Sequence, residues 1–460
     1  MKREFILAAL LITGGFSMTA SAQPAPMPFR VELRNIHSGI HSGQDAATRS
    51  ADLAMVDSAG AVWLRLHFSD HNLGDGSYLT ITSVLDGGQQ RLDARSMIPW
   101  QNSTAIFNGD AVVVELHVDP DDEGVFYEIE EISVGEYSNA ASPRSQCGLT
   151  DDRSSTTDNR IGRLSPVGCT GWRISNGAYL TAGHCGPTLT NDVLEFNVPA
   201  STCNGTTVAS DPNDQYPILT QNLFDDGSGA VGNDWAVFTV GPNSNHGQTP
   251  LERYGGFFRT TRDSNPADVR VTGFGTDNVP EGCGNPTFND GRNSDSQTEQ
   301  THVGAYLGEN VQSSSDVIID YLVDTEGGNS GSPVIVRVNG ITQNYTLGIH
   351  TNAGCLEPID GNQGTGFEHN NLESAIASSP PGGSEEYVDD GHPFAATLGD
   401  GSVHRPFDTV SEAVSAVSSG GTIVIVTGTY SNAEGNTFFA GTDGKSMTFI
   451  VPVGTATIGN

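Results

Sequence analysis

The sequence predicts an all-β protein that contains more than one domain. Short runs of alternating polar and apolar residues, separated by Gly, Asp and Asn turns, recur through the first 140 residues. Hydrophobic residues make up 36% of the chain and aromatic residues only 7%, a composition that is sufficient for β-rich cores. A length of 460 residues allows two to three domains.

The first 22 residues have the three parts of a secretory signal peptide. Charged residues occupy positions 2 and 3, an apolar run extends over 5–16, and Ala-Ser-Ala at 20–22 supplies small residues for cleavage. The apolar run is too short to span a bilayer, and no later segment is long enough. We therefore expect a secreted protein, extracellular or periplasmic, without a membrane anchor.

A Pro-rich linker, 23–28, leads into a predicted β domain that we place at 23–140. Alternating patterns predict four strands there, at 61–68, 78–82, 111–118 and 126–132. Several short strands separated by turn residues are typical of a β-sandwich. The sequence leaves open whether this domain is a folding-assisting prosegment or an accessory binding module that stays attached.

Two motifs in the middle of the chain indicate catalysis. Ser330 lies in Gly-Gly-Asn-Ser-Gly-Ser-Pro at 327–333, and His184 lies in Tyr-Leu-Thr-Ala-Gly-His-Cys at 179–185. A serine hydroxyl becomes a good nucleophile when an imidazole takes its proton, and the imidazole needs a buried carboxylate to fix its tautomer. The best carboxylate between the motifs is Asp234, which opens an apolar run typical of a buried strand.

Alternatives exist for two of these assignments. Asp225 and Asp226 are substitutes if Asp234 merely caps a turn. A Gly-Ser-rich surface loop would explain the serine motif alone, but the independent histidine motif upstream favours catalysis. Glycines beside the serine also suit an oxyanion hole, in which backbone N–H groups face the developing negative charge, and the expected donors are Gly328 and Ser330.

These motifs resemble the chymotrypsin-like (trypsin) superfamily of serine endopeptidases, whose chain order is His, Asp, Ser. The segment 324–334, followed by Gly-Ile-His-Thr at 348–351, is similar to the glutamyl endopeptidases, whereas the cysteine positions are more similar to the lysyl endopeptidases. The resemblance covers about 145–378 and implies a protease domain, placed at 141–379. It also implies two six-stranded antiparallel barrels, with the three catalytic residues in the cleft between them.

The resemblance does not decide which substrate side chain the specificity pocket binds. If His350 lines the pocket, it can bind a substrate carboxylate with help from the Thr325 hydroxyl, and cleavage after Glu or Asp is expected. Asp324, however, lies six residues before the nucleophile, where trypsin-like enzymes keep the aspartate that attracts Lys or Arg. The pocket aspartate of the lysyl enzymes falls near Asn362 and Asp360. Cleavage after Lys or Arg is therefore the alternative.

Six cysteines behind a signal peptide predict three disulfides. Cys169 and Cys185 flank the histidine motif, and a bridge between them would stabilise the fold by about 3 kcal/mol in the chain-entropy model. No pair has Cys-x-x-Cys spacing, so a zinc site is not expected. We expect no metal and no cofactor.

The resemblance also bears on the other cysteines and on activation. As in the lysyl endopeptidases, Cys147 would pair with Cys355, which leaves Cys203 and Cys283 for each other. The pairing of Cys203 with Cys283 departs from that family, in which the cysteine that corresponds to Cys203 pairs with one near the N-terminus.

Activation would also differ from that of trypsin-type zymogens. These carry an aspartate directly before the serine, whereas Asn329 is uncharged. We therefore do not expect an ion pair at this position to be the activation switch, and the sequence leaves open a propeptide that is removed by another route.

The C-terminal part has a third composition. Pro-Pro-Gly-Gly within the linker 380–384 ends a helix predicted at 370–378. The segment 385–460 resembles the N-terminal cap and first coil of right-handed parallel β-helix proteins of the pectin-lyase type. One or two coils cannot bury a repeat core. We expect this tail to pack on another domain, to pair with another chain or to be weakly ordered.

The charge narrows the range of partners. A net charge of −34, from 55 acidic and 21 basic residues, argues against nucleic acid as a partner, and polypeptide substrates are the expected partners.

Two functions other than that of an endopeptidase stay open. The protein could be a non-catalytic secreted binding protein on a protease fold, although all three catalytic residue types are present. It could be an esterase with the same residues, although the order of these residues is wrong for the esterase fold.

Overall fold

The computed structural model describes residues 24–44, 47–137, 144–186, 191–202, 206–224, 231–262, 265–277, 294–338, 341–355, 361–378, 385–431 and 445–459. Several predicted features lie outside these ranges. They are the signal peptide, the linker at 380–384, the pair Cys203 and Cys283, and the carboxylates Asp225, Asp226 and Asp360.

The first described part contains two antiparallel sheets that share one core. Its elements are β1 (Phe29–His37), β2 (Arg49–Asp57), β3 (Trp63–Asn72), β4 (Tyr78–Ser83), β5 (Gln89–Asp93), α1 (Ala94–Met97), β6 (Phe107–Asn108), β7 (Ala111–Val118) and β8 (Phe126–Gly135). The strand orders are β1-β8-β3-β6 and β2-β7-β4-β5. Burial alternates along β7, and both sheets contribute to one hydrophobic cluster. The four strands predicted from alternation correspond to β3, β4, β7 and β8, while the domain boundaries 23–140 stay a prediction.

Six strands of the next part close into a barrel. The elements are β9 (Arg144–Ser145), β10 (Ser154–Ser155), β11 (Ile161–Ser165), β12 (Cys169–Arg173), β13 (Tyr179–Thr181), β14 (Val193–Glu195), β15 (Gln215–Phe224) and β16 (Trp235–Val240). The barrel order is β11-β12-β13-β16-β15-β14. On two neighbouring strands of the barrel, the buried guanidinium of Arg163 lies 3.1 Å from the buried carboxylate of Glu195. This ion pair joins β11 to β14.

A second ring of six strands follows. The elements are α2 (Pro250–Tyr254), β17 (Arg259–Thr260), β18 (Asp268–Gly273), β19 (Gln300–Ser313), β20 (Asp316–Tyr321), β21 (Thr325–Glu326), β22 (Pro333–Val338), β23 (Ile341–Asn352), β24 (Asn362–Gly366) and α3 (Asn370–Ala377). Strands β18, β22, β23, β24 and β20 pair in that order, and β19 closes the ring by pairing with both β20 and β18. The all-β fold class predicted from the sequence is confirmed.

The C-terminal part packs on the second ring and its surroundings. Its elements are β25 (Glu385–Val388), α4 (Ala395–Leu398), α5 (Val410–Ala416), β26 (Thr422–Ile425), β27 (Gly428–Tyr430), β28 (Thr448–Ile450) and β29 (Ala456–Ile458). Strands β25, β26 and β28 are parallel, as are β27 and β29. Asp389 receives two hydrogen bonds from the Arg259 guanidinium, at 2.6 and 3.0 Å. Of the three fates expected for this tail, the structure shows packing on another domain, and the β-helix resemblance stays a prediction.

The stretch that precedes β1 contacts the barrels. We call residues 24–28 the N-terminal arm. The Ala25 amide donates to the Gly168 carbonyl at 2.8 Å, and the Met27 amide donates to the Pro166 carbonyl at 2.8 Å. Gln297 donates its side-chain amide to the Ala25 carbonyl at 2.6 Å. Ala25 and Met27 are each only 2% exposed, so the segment expected to be a linker is docked instead.

Buried polar contacts also join the N-terminal sheets to the first barrel. The Gln215 side chain donates to the Ile106 carbonyl and accepts from the Ile106 amide, both at 2.8 Å. Val193 and Ala209 of the barrel region belong to the same hydrophobic cluster as the two sheets. Separating the two parts would therefore expose buried groups of both. Among the described residues, no helix is both long and apolar enough to cross a membrane.

Candidate active site

Antiparallel pairing of β13 with β16 brings His184 and Asp234 together. Thr181, at the end of β13, pairs with Ala236, so the turn that holds His184 lies beside the residue that precedes β16. The Asp234 carboxylate accepts from the His184 backbone amide at 2.8 Å and contacts His184 Nδ1 at 2.6 Å. Asp234 is buried, so its charge favours a proton on Nδ1 and leaves the Nε2 lone pair free to accept one.

Asp234 is also held by the second ring. Its backbone amide donates to the Thr365 hydroxyl at 3.2 Å, and that hydroxyl donates to the Asp234 carbonyl at 2.9 Å. Thr365 lies in β24 and had no signal in the sequence that linked it to catalysis. The carboxylate is therefore positioned by both barrels.

Ser330 lies in the turn between β21 and β22, against the strands that lead to His184. The Thr170 amide donates to the Ser330 carbonyl at 2.9 Å, and the Gly331 amide donates to the His350 carbonyl at 2.8 Å. Gly331 has φ of +89°, and a Cβ there would lie 2.1 Å from the Thr181 hydroxyl. Only glycine fits this position, and its absence of a side chain lets the serine turn approach the histidine motif.

The side-chain atoms His184 Nε2 and Ser330 Oγ have no hydrogen-bond partner in the described part of the chain. Among the described residues, neither His184 Nε2 nor Ser330 Oγ makes a hydrogen bond, and both atoms are buried. The hydrogen bond between a catalytic base and its nucleophile is often long in structures without substrate. No other described residue therefore engages the Nε2 lone pair or the Ser330 hydroxyl.

Two backbone amides beside Ser330 are suited to bind an oxyanion. Gly328 has φ of +99°, which turns its peptide away from the usual orientation. Within the part of the chain that the structure describes, neither the Gly328 nor the Ser330 amide donates to another group. Their neighbours are engaged, since the Asn329 amide donates to Glu326 and the Gly331 amide to His350.

His350 lies on β23 next to the serine turn. Its backbone amide donates to the Ser332 carbonyl at 2.8 Å, and its Nδ1 lies 2.7 Å from the Tyr321 hydroxyl. Burial, and to a lesser extent the nearby His184, lower the pKa of His350 to about 3, although a hydrogen bond with the Gln363 backbone opposes both effects. The imidazole is therefore neutral at ordinary pH. Its Nε2 is buried and has no hydrogen-bond partner among the described residues.

The Asn362 side chain holds Thr325 and three neighbouring backbone groups. Asn362 donates its side-chain amide to the Thr325 hydroxyl at 2.9 Å and to the carbonyls of Ser145 and Val323 at 2.9 and 2.6 Å. Its side-chain oxygen accepts from the Gly354 amide at 2.8 Å. Asn362 is thus a neutral, fully engaged side chain at the position where lysyl enzymes were expected to carry a carboxylate.

Asp324 holds the segment that leads into the first barrel. Its two carboxylate oxygens accept from the backbone amides of Cys147 and Asp152, at 2.7 and 2.8 Å. The Asp324 amide in turn donates to His302 Nδ1 at 2.8 Å. Asp152, His302 and Asp324 place ligand-type atoms within 4.8 Å of one another, but these hydrogen bonds already occupy His302 and Asp324. The position six residues before Ser330 therefore has a structural partner that the sequence did not reveal.

The structure contains two disulfides among the described cysteines. Cys169 is joined to Cys185, next to the histidine turn. Cys147 is joined to Cys355, whose backbone amide donates to the Asn362 side chain at 3.4 Å. The pairing of Cys203 with Cys283 lies outside the described residues and stays a prediction.

Sequence reasoning missed three contributors to this site. Tyr321 contacts His350, Thr365 contacts Asp234, and Arg153 donates to the Asn329 side chain at 3.4 Å while pairing with Asp151 at 2.6 Å. None of them stands in a recognisable motif. The only available signal was the alternating pattern of β20, which predicts that Tyr321 is buried.

Comparisons with known proteins found solved structures and one family model that match this chain. Among solved structures, a Glu endopeptidase in complex with MPD is 19% identical, covers 50% of this chain and 96% of its own, and gives a TM-score of 0.34. The protease Anisep from Arthrobacter nicotinovorans is 16% identical, covers 49% of this chain and 96% of its own, and gives a TM-score of 0.33. No curated protein matches the sequence. Residues 152–363 match the family model described as Trypsin, and by this match the chain contains a chymotrypsin-like domain of the trypsin family.

Proposed function

We propose that this protein is a serine endopeptidase that hydrolyses peptide bonds through Ser330, His184 and Asp234. The observation that carries the proposal is the buried Asp234 carboxylate, which bonds both the amide and Nδ1 of His184 and leaves Nε2 without a partner among the described residues. This arrangement provides the base that a serine nucleophile needs. A protein that had lost catalysis would have no need to keep it.

The reaction proceeds in two halves. Ser330 Oγ attacks the carbonyl carbon of the scissile bond while His184 Nε2 takes the hydroxyl proton. The amides of Gly328 and Ser330 stabilise the negative charge that develops on the carbonyl oxygen. His184 then gives the proton to the leaving amine, and the C–N bond breaks to leave an acyl ester on Ser330. Water then attacks the ester while His184 takes one of its protons. His184 returns this proton to Ser330 Oγ as the ester C–O bond breaks, which releases the acid and restores the serine hydroxyl.

We further propose cleavage after Glu or Asp. The buried Nε2 of His350 has no partner among the described residues, and it suits a substrate carboxylate. Of the groups considered for a Lys or Arg pocket, Asp324 already accepts two backbone amides, Asn362 is uncharged, and Asp360 lies outside the described residues. The Thr325 hydroxyl accepts from Asn362 and keeps its own hydrogen for the substrate.

The proposal includes secretion and the domain order predicted from the sequence. A signal peptide at 1–22 precedes a β domain at 23–140, a protease domain at 141–379, a linker at 380–384 and a β-helix-like tail at 385–460. Two disulfides in the structure suit an oxidising, extracellular or periplasmic environment.

The decisive experiment is digestion of a denatured protein mixture with the secreted protein and with its Ser330→Ala variant. Every cut is mapped by mass spectrometry. Cuts after Glu and Asp that vanish in the variant support the whole proposal. Ser330-dependent cuts after Lys or Arg would overturn the specificity but keep the mechanism. The absence of Ser330-dependent cuts would favour a binding protein, and turnover of simple esters alone would favour an esterase.

A further inference from the structure

The Tyr321 hydroxyl has two neighbours that compete for its single hydrogen. Tyr321 is the last residue of β20, pairs with Asn362 of β24, and is buried. Its oxygen lies 2.7 Å from His350 Nδ1 and 3.2 Å from the Gln363 carbonyl oxygen. The direction in which the hydroxyl points decides which nitrogen of the neutral imidazole carries the proton.

The distances favour donation to His350. Bonds of the O–H···O type usually span about 2.5–3.0 Å, so the 3.2 Å contact with Gln363 is long, whereas the 2.7 Å contact with Nδ1 is short. Burial raises the pKa of Tyr321 well above its usual value, so the phenol keeps its hydrogen. When that hydrogen is donated to Nδ1, the imidazole proton must be on Nε2.

Nε2 is the atom of His350 that remains for a ligand. The backbone of His350 bonds Gly331 and Ser332, the two residues that follow Ser330, and both bonds measure 2.8 Å. Nε2 itself is buried and makes no hydrogen bond with any described residue. An N–H left in this state is costly, and a bound acceptor would satisfy it.

We propose that Tyr321 is a positioning residue that holds His350 with its proton on Nε2, so that the pocket binds a substrate carboxylate in preference to its uncharged amide. This inference rests on the proposed function, because it concerns the substrate side chain at the scissile bond. A carboxylate only accepts hydrogen bonds, and an N–H donor gives it a charge-assisted bond. The opposite tautomer would present a lone pair, which repels a carboxylate but accepts the NH₂ group of a carboxamide.

The test uses two peptides that differ only in Glu or Gln before the scissile bond, cleaved by the full-length protein and by Tyr321→Phe. Without the phenol hydrogen, His350 can instead carry its proton on Nδ1 and donate it to the Gln363 carbonyl, which also interacts with this imidazole. We expect kcat/KM for the Glu peptide to fall about tenfold, mainly through KM, while the value for the Gln peptide changes less than about threefold. Tyr127→Phe is the matched control, because Tyr127 is also buried and its hydroxyl donates to Asp52 at 3.0 Å within the N-terminal sheets. Its Glu-to-Gln ratio should match the wild type.

The outcomes separate this inference from the function on which it rests. A wild type that prefers Glu, with the same preference in Tyr321→Phe, would overturn the role of Tyr321 and leave the proposed function standing. A wild type that cuts after Glu no faster than after Gln would overturn both the Glu preference and this inference.

A second measurement needs no stable variant. Nitrogen-15 NMR of the wild-type imidazoles, with His350→Gln for assignment, should show a protonated Nε2 and an unprotonated Nδ1. The reverse pattern would overturn the proposal.

Discussion

The Asp234 carboxylate binds His184 twice, through the backbone amide at 2.8 Å and through Nδ1 at 2.6 Å. Asp234→Asn keeps an oxygen for one of these bonds but can no longer fix the tautomer. We expect kcat to fall by about 10⁴-fold, with little change in thermal stability. Steady-state kinetics and calorimetry on the variant test this. Asp268→Asn, at an exposed position, is the control. Near-normal turnover by Asp234→Asn would mean that Asp234 is not the third catalytic residue.

Asp324 provides a test between the two specificities. Its carboxylate accepts the amides of Cys147 and Asp152, so Asp324→Ala leaves two amides without their acceptor. We expect the free energy of unfolding to fall by about 2–3 kcal/mol, with no change in the residue preferred at the cleavage site. Urea denaturation and peptide profiling measure the two effects. An altered cleavage preference without a loss of stability would indicate that Asp324 lines the specificity pocket instead.

Docking of the N-terminal arm can be tested at one glycine. A Cβ on Gly168 would lie 1.8 Å from the Ala25 carbonyl oxygen, whereas a Cβ on Gly247 meets no atom within 4 Å. Both glycines have positive φ, at +70° and +72°, so alanine costs each a similar backbone strain of about 1–2 kcal/mol. We expect Gly168→Ala to lose at least about 1 kcal/mol more than Gly247→Ala in denaturant unfolding. Equal losses would show that the arm is not docked there.

The large negative charge should affect catalysis through salt. A chain with a net charge of −34 repels acidic peptides, and salt screens this repulsion because the Debye length shortens from about 30 Å at 0.01 M to about 8 Å at 0.15 M. We expect kcat/KM for acidic substrates to rise about threefold over this range, mainly through KM. Peptides with Lys in place of the flanking acidic residues should show the opposite trend. A fall with salt for the acidic peptides would contradict the prediction.

Glu299 makes stability depend on pH. Burial raises the pKa of Glu299 to about 8, even though the Asp158 amide donates a hydrogen bond to its carboxylate at 3.0 Å. The folded protein therefore keeps a proton that the unfolded chain loses near pH 4.5, and the free energy of unfolding falls as pH rises from about 4.5 to 8. Glu299→Gln should stabilise the protein by roughly 2 kcal/mol at pH 8.5 and hardly at all at pH 4.5.

Chemical denaturation at the two pH values checks the Glu299 prediction. The exposed Glu130 provides the control variant Glu130→Gln, which should leave the difference between the two pH values unchanged. Equal effects of Glu299→Gln at both pH values would show that Glu299 is ionised in the folded state.

Motifs predicted the part of the site that depends on local sequence. Ser330 and His184 stand in short segments whose glycines and neighbouring residues are the types that the chemistry needs. Asp234 precedes β16, which pairs with β13, the strand before His184. Contacts between distant segments had no such signal. The partners of Asp324 lie 177 and 172 residues away, and the contact of Tyr321 with His350 depends on the pairing of β20, β24 and β23.

Composition misled the interpretation of the N-terminal arm. Three prolines in 23–28 suggested a linker, because proline-rich stretches usually connect domains. Proline removes a donor but keeps the carbonyl, and the amides of Ala25 and Met27 between the prolines still bond Gly168 and Pro166. Whether a proline-rich stretch is solvated or docked depends on the surface that faces it. Here that surface is formed by Pro166 and Gly168, more than 130 positions from the arm.

The docked arm has a further consequence for a chain that has been cut. All six cysteines lie at position 147 or later, so no disulfide can connect the N-terminal sheets to the barrels. If a protease cuts between 137 and 144, the two polypeptides will separate on a denaturing gel even without reductant. They will still migrate together in native chromatography, held by the Ala25, Met27 and Gln215 contacts. The cut protein would then be a non-covalent heterodimer made from a single translation product.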